Sequence, residues 1–301
     1  MELTLVDCVR TGSLVVAFFA LLLVDRRSWI TADALLSFVV GAVLVAAPQY
    51  ILDFQVEGTL SPTHLLIARI LGIALFTGAI MFWTTRDTWD GTVPITLLMS
   101  RVFSCSLIVL AQICLHWGTE KGKKNVNWNY THITFGMVCN VLWLLLSLVH
   151  VLRSSDFSTY PQHNIRINTL LHVDSWLTCL LSALFLAFPD VVLSVLVNSI
   201  CEDPNVVHLH LMRVIGIHGI GSAIVSLQAP GFLHECDKRV QFVARIIGQV
   251  MMLILTASLL YLDRLNLRQA GLVSAVLGPS LLNAMLGYYA GGTANYKAKS
   301  R

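Results

Sequence analysis

Four arginines draw attention because they fall inside, or at the ends of, long apolar stretches of this chain: Arg69, Arg101, Arg213 and Arg245. Placing an arginine within hydrocarbon costs about 2.5–3.5 kcal/mol on insertion scales, so each of these side chains needs an acidic partner, water or a ligand. Two chemistries fit such residues. One is an ion pair that fixes two helices against each other, and the other is a cationic site for an anionic lipid headgroup or solute.

Two of the arginines have an aspartate at a matching position. Asp33 and Arg101 lie at the same ends of their apolar stretches, and Asp174 and Arg245 repeat that arrangement later in the chain. Removing one member of a buried pair leaves an uncompensated charge, so such pairs hold helices in register. We predict two structural ion pairs, Asp33–Arg101 and Asp174–Arg245.

The other two arginines lie near the opposite membrane surface, each with a histidine. His64 precedes Arg69 and His208 precedes Arg213 by the same spacing. We treat these four residues as candidate ligand-binding residues for an anionic lipid headgroup or solute. A purely structural role and snorkelling of the arginines towards lipid headgroups are the alternatives.

The histidines do not form a recognisable metal or catalytic motif. His208 and His210 are two positions apart, so they face different ways on a helix and converge poorly on one ion. His172 with Asp174 could pair a base with its orienting carboxylate, but no Ser or Cys nucleophile is signalled nearby. We predict no metal site, no cofactor and no catalytic residue.

The composition is that of a membrane protein. Of 301 residues, 56% are hydrophobic and 12% are charged, whereas a soluble domain has about 45–50% and 25%. A net charge of +3, scattered along the chain, excludes a nucleic-acid binder, and seven dispersed cysteines do not indicate a disulfide framework.

The apolar stretches predict an all-α polytopic fold with about nine transmembrane helices, since about 20 apolar residues span a bilayer. The predicted spans are 3–24, 34–52, 63–84, 96–117, 132–152, 172–198, 207–229, 241–262 and 270–290. Nine spans place the two termini on opposite sides. More Lys and Arg residues lie on the face that holds the C-terminus, which predicts a cytosolic C-terminus.

The chain contains an internal duplication. Asp33 and Pro48 recur 141 residues later, while His64, Arg69 and Arg101 recur 144 residues later. An even number of spans separates the copies, so both have the same orientation. We predict two parallel four-helix repeats at residues 1–117 and 132–263, a loop at 118–131, and a ninth span with a basic tail at 264–301.

The second copy carries short motifs that resemble a known family. Leu186-Ala187-Phe188-Pro189-Asp190 ends one span and Arg213-Val214-Ile215-Gly216 opens the next. These segments resemble the four-span membrane protein family induced by the p53 tumour suppressor and, more remotely, the DoxX-like proteins. The resemblance implies a four-helix bundle in each repeat and supplies no catalytic residues.

The C-terminal tail predicts a location. Lys297 and Lys299 lie close to the C-terminal Arg301, which resembles the dilysine retrieval signal that the coat of retrograde vesicles reads. We therefore expect the endoplasmic reticulum membrane, with the plasma membrane as the alternative. The expected function is non-enzymatic, either as a scaffold for unidentified protein partners or in lipid handling. A transporter or channel for an anionic or lipid-like solute is the alternative, and a lipid-modifying enzyme is a weaker one.

Overall fold

The protein is an all-α polytopic membrane protein. The computed structural model describes residues 12–13, 16, 19–20, 22–118, 127–154, 164–197 and 205–290. Ten helices cover most of these residues: α1 Arg26–Ala46, α2 Gln49–Gln55, α3 Pro62–Thr85, α4 Thr92–Gly118, α5 Tyr130–Leu152, α6 Ile165–Ala187, α7 Pro189–Val197, α8 Val206–Gln228, α9 Glu235–Tyr261 and α10 Leu267–Ala290. Two-residue strands, β1 Val56–Glu57 and β2 Asn127–Trp128, pair antiparallel.

Eight of these helices are long and apolar enough to cross a membrane, namely all except α2 and α7. They correspond one to one with the second to ninth predicted spans. The predicted first span, residues 3–24, lies largely outside the described residues.

The predicted spans 34–52 and 172–198 are wrong at both ends. The observed helices begin earlier than predicted, at Arg26 and Ile165. They end before a proline, at Ala46 and Ala187. Proline has no N–H to donate to the preceding turn, so a helix usually stops before it, whereas the same residue is well suited to begin one. The short helices α2 and α7 follow these two breaks at Pro48 and Pro189.

The tightest helix crossings depend on small residues. Helices α1 and α3 cross where an added Cβ on Gly41 or Gly72 would lie 2.8 Å from backbone or side-chain atoms of the other helix. In the same way, a Cβ on Gly216 of α8 would lie 2.7 Å from the carbonyl oxygen of Ser182 in α6. Such close backbone approach is how helices pack in lipid, where no hydrophobic effect drives them together.

The two halves of the chain, α1–α5 and α6–α10, interlock through α4 and α9. Helix α4 packs against α5 and also against α8 of the other half, and α9 packs against α10 and α3. Gly221 of α8 accommodates Ser104 of α4, and Gly248 of α9 lies against Thr77 of α3. Helices α3 and α8 also contact each other. Two clusters of buried apolar residues each draw on both halves, so the halves are not separate bundles.

Candidate functional site

The first ion pair joins α1 to α4. Arg101 donates from Nε to Asp33 Oδ2 at 2.9 Å and from Nη2 to Asp33 Oδ1 at 2.7 Å. The hydroxyl of Ser37 donates to the same carboxylate and accepts from Arg101 Nη2 at 2.9 Å. Asp33 is 1% exposed. This forked arrangement neutralises both charges inside the helix bundle.

The second ion pair joins α6 to α9 at the equivalent positions. Arg245 Nε lies 3.1 Å and 3.0 Å from the two carboxylate oxygens of Asp174. The hydroxyl of Ser226 also donates to Asp174, and Gln241 Nε2 donates to that hydroxyl at 2.6 Å. One guanidinium nitrogen, Arg245 Nη2, is buried and has no hydrogen-bond partner among the described residues. The second pair thus leaves a donor unused.

His64 and His208 contact each other between the two halves. Their rings stack with centroids 3.7 Å apart and planes inclined by 18°. Each histidine is part of a capping box: the backbone N–H of Ser61 donates to His64 Nδ1 at 3.0 Å, and that of Asn205 donates to His208 Nδ1 at 3.3 Å. Each ring therefore accepts a hydrogen bond at Nδ1 from the backbone of its own helix cap.

The Nε2 atoms of the two histidines point to the opposite half. His64 Nε2 lies 3.0 Å from the side-chain nitrogen and 3.3 Å from the side-chain oxygen of Asn205, and His208 Nε2 lies 3.4 Å from the hydroxyl of Ser61. The capping residue of each helix therefore also contacts the histidine of the other half. Both histidines are almost fully buried, and this reciprocal arrangement favours a structural role for the pair.

Arg69 and Arg213 occupy different surroundings. Arg69 is half-buried, and its Nε donates to the carbonyl oxygen of Val45 in the last turn of α1 at 3.3 Å. That carbonyl belongs to a helix end, where the helix itself supplies no partner. Arg213 is exposed. Within the part of the chain that the structure describes, no hydrogen bond or ion pair of Arg213 is found.

Two cavities lie within the bundle. The first-half cavity has a volume of about 410 Å³ and is lined mainly by α1, α4, α5 and α8. It includes Asp33, Arg101, Gln112, Trp143 and His218. The second-half cavity has a volume of about 320 Å³ and is lined mainly by α3, α6, α8, α9 and α10. Both volumes suit a small-molecule site.

The second-half cavity contains the side chains that α9 presents at four-residue intervals, Gln241, Arg245 and Gln249. Residues four apart share one face of a helix, so these three form a polar row in an otherwise largely apolar cavity. Arg101 and His218 line both cavities. None of the residues predicted to bind a ligand, Arg69, Arg213, His64 and His208, lines either cavity.

The comparison with known families covers most of the chain. The model of a family described as a domain of unknown function, DUF8292, matches residues 31–289. The chain belongs to the DUF8292 family. Comparison of the chain with the curated proteins and with the solved structures found no match. The DUF8292 segment begins within α1 and ends within α10, so it includes both ion pairs, the stacked histidines and both cavities.

Sequence reasoning missed His218, Gln241 and Gln249 in this DUF8292 chain. The signal was present in α9, where two glutamines flank Arg245 at four-residue spacing within a predicted span. A row of three polar residues on one face of a transmembrane helix rarely faces lipid. Among the described residues, no group of three or more His, Cys, Asp or Glu side chains is placed to hold a metal ion.

Proposed function

We propose that this protein is a non-enzymatic, multi-pass lipid-binding protein whose ligand occupies a cavity inside the helix bundle. The observation that carries the proposal is the pair of cavities, each of which reaches an Arg–Asp ion pair at the equivalent place in its half. Their linings are largely apolar, with a few polar groups. That is the usual composition of a site for an amphiphilic ligand.

The test is to identify the lipids that the purified protein retains. The full chain is purified in mild detergent and the bound lipids are measured by native mass spectrometry. Gly78 lines the second-half cavity, and a Cβ there would meet no atom within 4 Å. Gly78→Phe therefore fills the cavity without displacing backbone, and we expect it to lose bound lipid.

Gly271→Phe is the matched control, since Gly271 is exposed and also has no atom within 4 Å of an added Cβ. It should retain lipid as the wild type does. Equal retention by both variants would contradict lipid binding in this cavity. If no lipid is retained and proximity labelling recovers stable protein neighbours, the scaffold role replaces lipid binding.

A transport function is the second candidate, and one observation favours it. The two cavities share Leu75, Arg101 and His218 in their linings, so a solute would pass from one to the other by displacing these side chains. Flux through protein reconstituted in liposomes, abolished by Gly78→Phe, would establish transport. Binding without flux is the result expected from the first proposal.

We also propose that the two halves are a duplication of one unit in the same orientation. The ion pairs, the histidine capping boxes and the main helix contacts occur at equivalent positions in both. The equivalent contacts of α5 with α4 and of α10 with α9 support units at α1–α5 and α6–α10 in place of the predicted bounds 1–117 and 132–263. The resemblance to the p53-inducible and DoxX-like families stays a prediction.

For location, we propose the endoplasmic reticulum membrane with a cytosolic C-terminus. Lys297 and Lys299, which lie outside the described residues, would be read there by the vesicle coat. An intracellular membrane agrees with a lipid-binding role. The plasma membrane is the alternative, and substitution of these two lysines distinguishes the two locations.

A further inference from the structure

The second-half cavity differs from the first-half cavity in the chemistry of one helix face. Arg101 of α4 is flanked at four-residue spacing by Leu97 and Cys105, whereas Arg245 of α9 is flanked at the equivalent positions, 144 residues later, by Gln241 and Gln249. The surrounding helix arrangement is the same in both halves. The fold accommodates apolar residues at the matching positions of α4, so the helix packing alone does not require two glutamines on α9.

The row on α9 contains buried polar atoms that have no hydrogen-bond partner in the described part of the chain. Gln241 is 2% and Gln249 is 8% exposed. Their side-chain oxygens, and Arg245 Nη2, are buried without a hydrogen-bond partner. A buried polar group without a partner costs about 1–3 kcal/mol. Three such groups along one cavity wall indicate a ligand with complementary polar groups.

The orientation of these groups specifies the ligand. Gln241 Nε2 donates to the carbonyl oxygen of Ser222 at 3.4 Å and to the hydroxyl of Ser226. The side-chain oxygen of Gln241 is therefore the atom that remains without a partner. Gln249 Nε2 bonds the hydroxyl of Ser280. The cavity thus offers two amide acceptors and one guanidinium donor, which suits a ligand that has both a hydroxyl group and a carbonyl group.

The charge balance of the second-half cavity argues against an anionic ligand. The charged side chains that line the second-half cavity are Arg101 and Arg245. Each is already paired with a buried aspartate, so the cavity has no spare positive charge. An anionic headgroup here would lie close to Asp174 without a cation of its own, and desolvating it would be costly.

We propose that the second-half cavity binds an uncharged lipid that carries both a hydroxyl and a carbonyl group, through Gln241, Arg245 and Gln249. Diacylglycerols and ceramides share this chemistry. The cavity volume of about 320 Å³ accommodates the headgroup of such a lipid, and the acyl chains extend beyond the cavity. This inference deepens the proposed function and rests on it.

The test uses the full chain in detergent with photoactivatable, alkyne-tagged lipid probes. The four probes are a diacylglycerol, a ceramide, the O-methyl ether of the diacylglycerol and a fatty acid. Labelled peptides are located by mass spectrometry. We expect the diacylglycerol or the ceramide to label peptides of α8, α9 and α10. The O-methyl ether should label about fivefold less because it lacks the hydroxyl donor, and the fatty acid should not label this cavity.

The variants replace each glutamine of α9 with the residue found at the equivalent position of α4. Gln241→Leu and Gln249→Cys install the residues found at the equivalent positions of α4, where both are buried in a folded helix pair. Each should reduce labelling about fivefold. Gln228→Leu, at an exposed position of α8 that lines neither cavity, is the matched control and should leave labelling unchanged. If either variant does not fold, the comparison of the hydroxyl and O-methyl probes on the wild type still decides the question.

Three outcomes would overturn the inference. Stronger labelling by the fatty acid would overturn the ligand class and leave lipid binding intact. Labelling that is insensitive to both the O-methyl change and the glutamine variants would remove the row on α9 from recognition. Absence of labelling by every probe, with lipid retention unaffected by Gly78→Phe, would overturn the proposed function as well.

Discussion

The Asp33–Arg101 ion pair allows a quantitative stability prediction. Asp33→Ala leaves a guanidinium that is 12% exposed inside the bundle without its carboxylate. At charge separations near 4 Å and an effective dielectric constant of about 20, the lost attraction is about 4 kcal/mol. This agrees with the cost of about 3–5 kcal/mol for removing one partner of a buried pair. We expect the free energy of unfolding to fall by that amount.

The double variant separates the charge effect from lost packing. Asp33→Ala with Arg101→Met removes both charges and keeps a long apolar side chain on α4, so most of the lost stability should return. The coupling energy between the two substitutions should be about 3 kcal/mol. Ser37, which bonds both partners, loses both hydrogen bonds in the double variant and accounts for part of the residual cost.

The assay is unfolding of the purified protein in mixed micelles by titration with SDS, followed by far-ultraviolet circular dichroism. Asp174→Ala serves as the equivalent perturbation in the second half and should cost at least as much, since Asp174 is fully buried. A loss below about 1 kcal/mol for Asp33→Ala is the value typical of a surface ion pair. That result, or additive single substitutions, would refute the reasoning.

Three further predictions concern the crossings, the helix caps and the location. Gly72→Leu should destabilise the fold by about 1–3 kcal/mol through overpacking, because even its Cβ would lie 2.8 Å from α1, while Gly271→Leu should be neutral in the same titration. His208→Ala should cost about 1–3 kcal/mol by leaving buried cap groups unsatisfied, and His208→Gln should cost less because glutamine also completes a capping box. Replacing Lys297 and Lys299 with alanine should increase surface biotinylation of intact cells; an unchanged distribution would contradict a retrieval signal.

The sequence predicted the membrane helices well because their signal is local. Each of the eight described spans is a continuous apolar stretch, and the length of a stretch is tied to bilayer thickness by simple geometry. The span ends were less accurate at Pro48 and Pro189. The apolar character continues past both prolines, so hydropathy alone does not show where the helix stops.

The candidate site was predicted less well than the helices. Charge and depth placed Asp33 with Arg101, and Asp174 with Arg245, at positions from which they could meet, and the structure brings both pairs together. The histidines and the remaining arginines were assigned to a ligand site from their position near the membrane surface. In the structure His64 and His208 stack on each other, and each accepts a hydrogen bond from the backbone of its helix cap.

The sequence alone determined the membrane class, the positions of the spans and the repetition of charged residues at fixed offsets, since these depend on composition and on spacing along the chain. Only the tertiary structure decided that α4 and α9 cross between the halves, and therefore which residues surround each cavity. Contacts such as those of Gly221 with Ser104 join residues far apart in sequence. Their formation depends on how helix surfaces fit together in three dimensions, which no local pattern records.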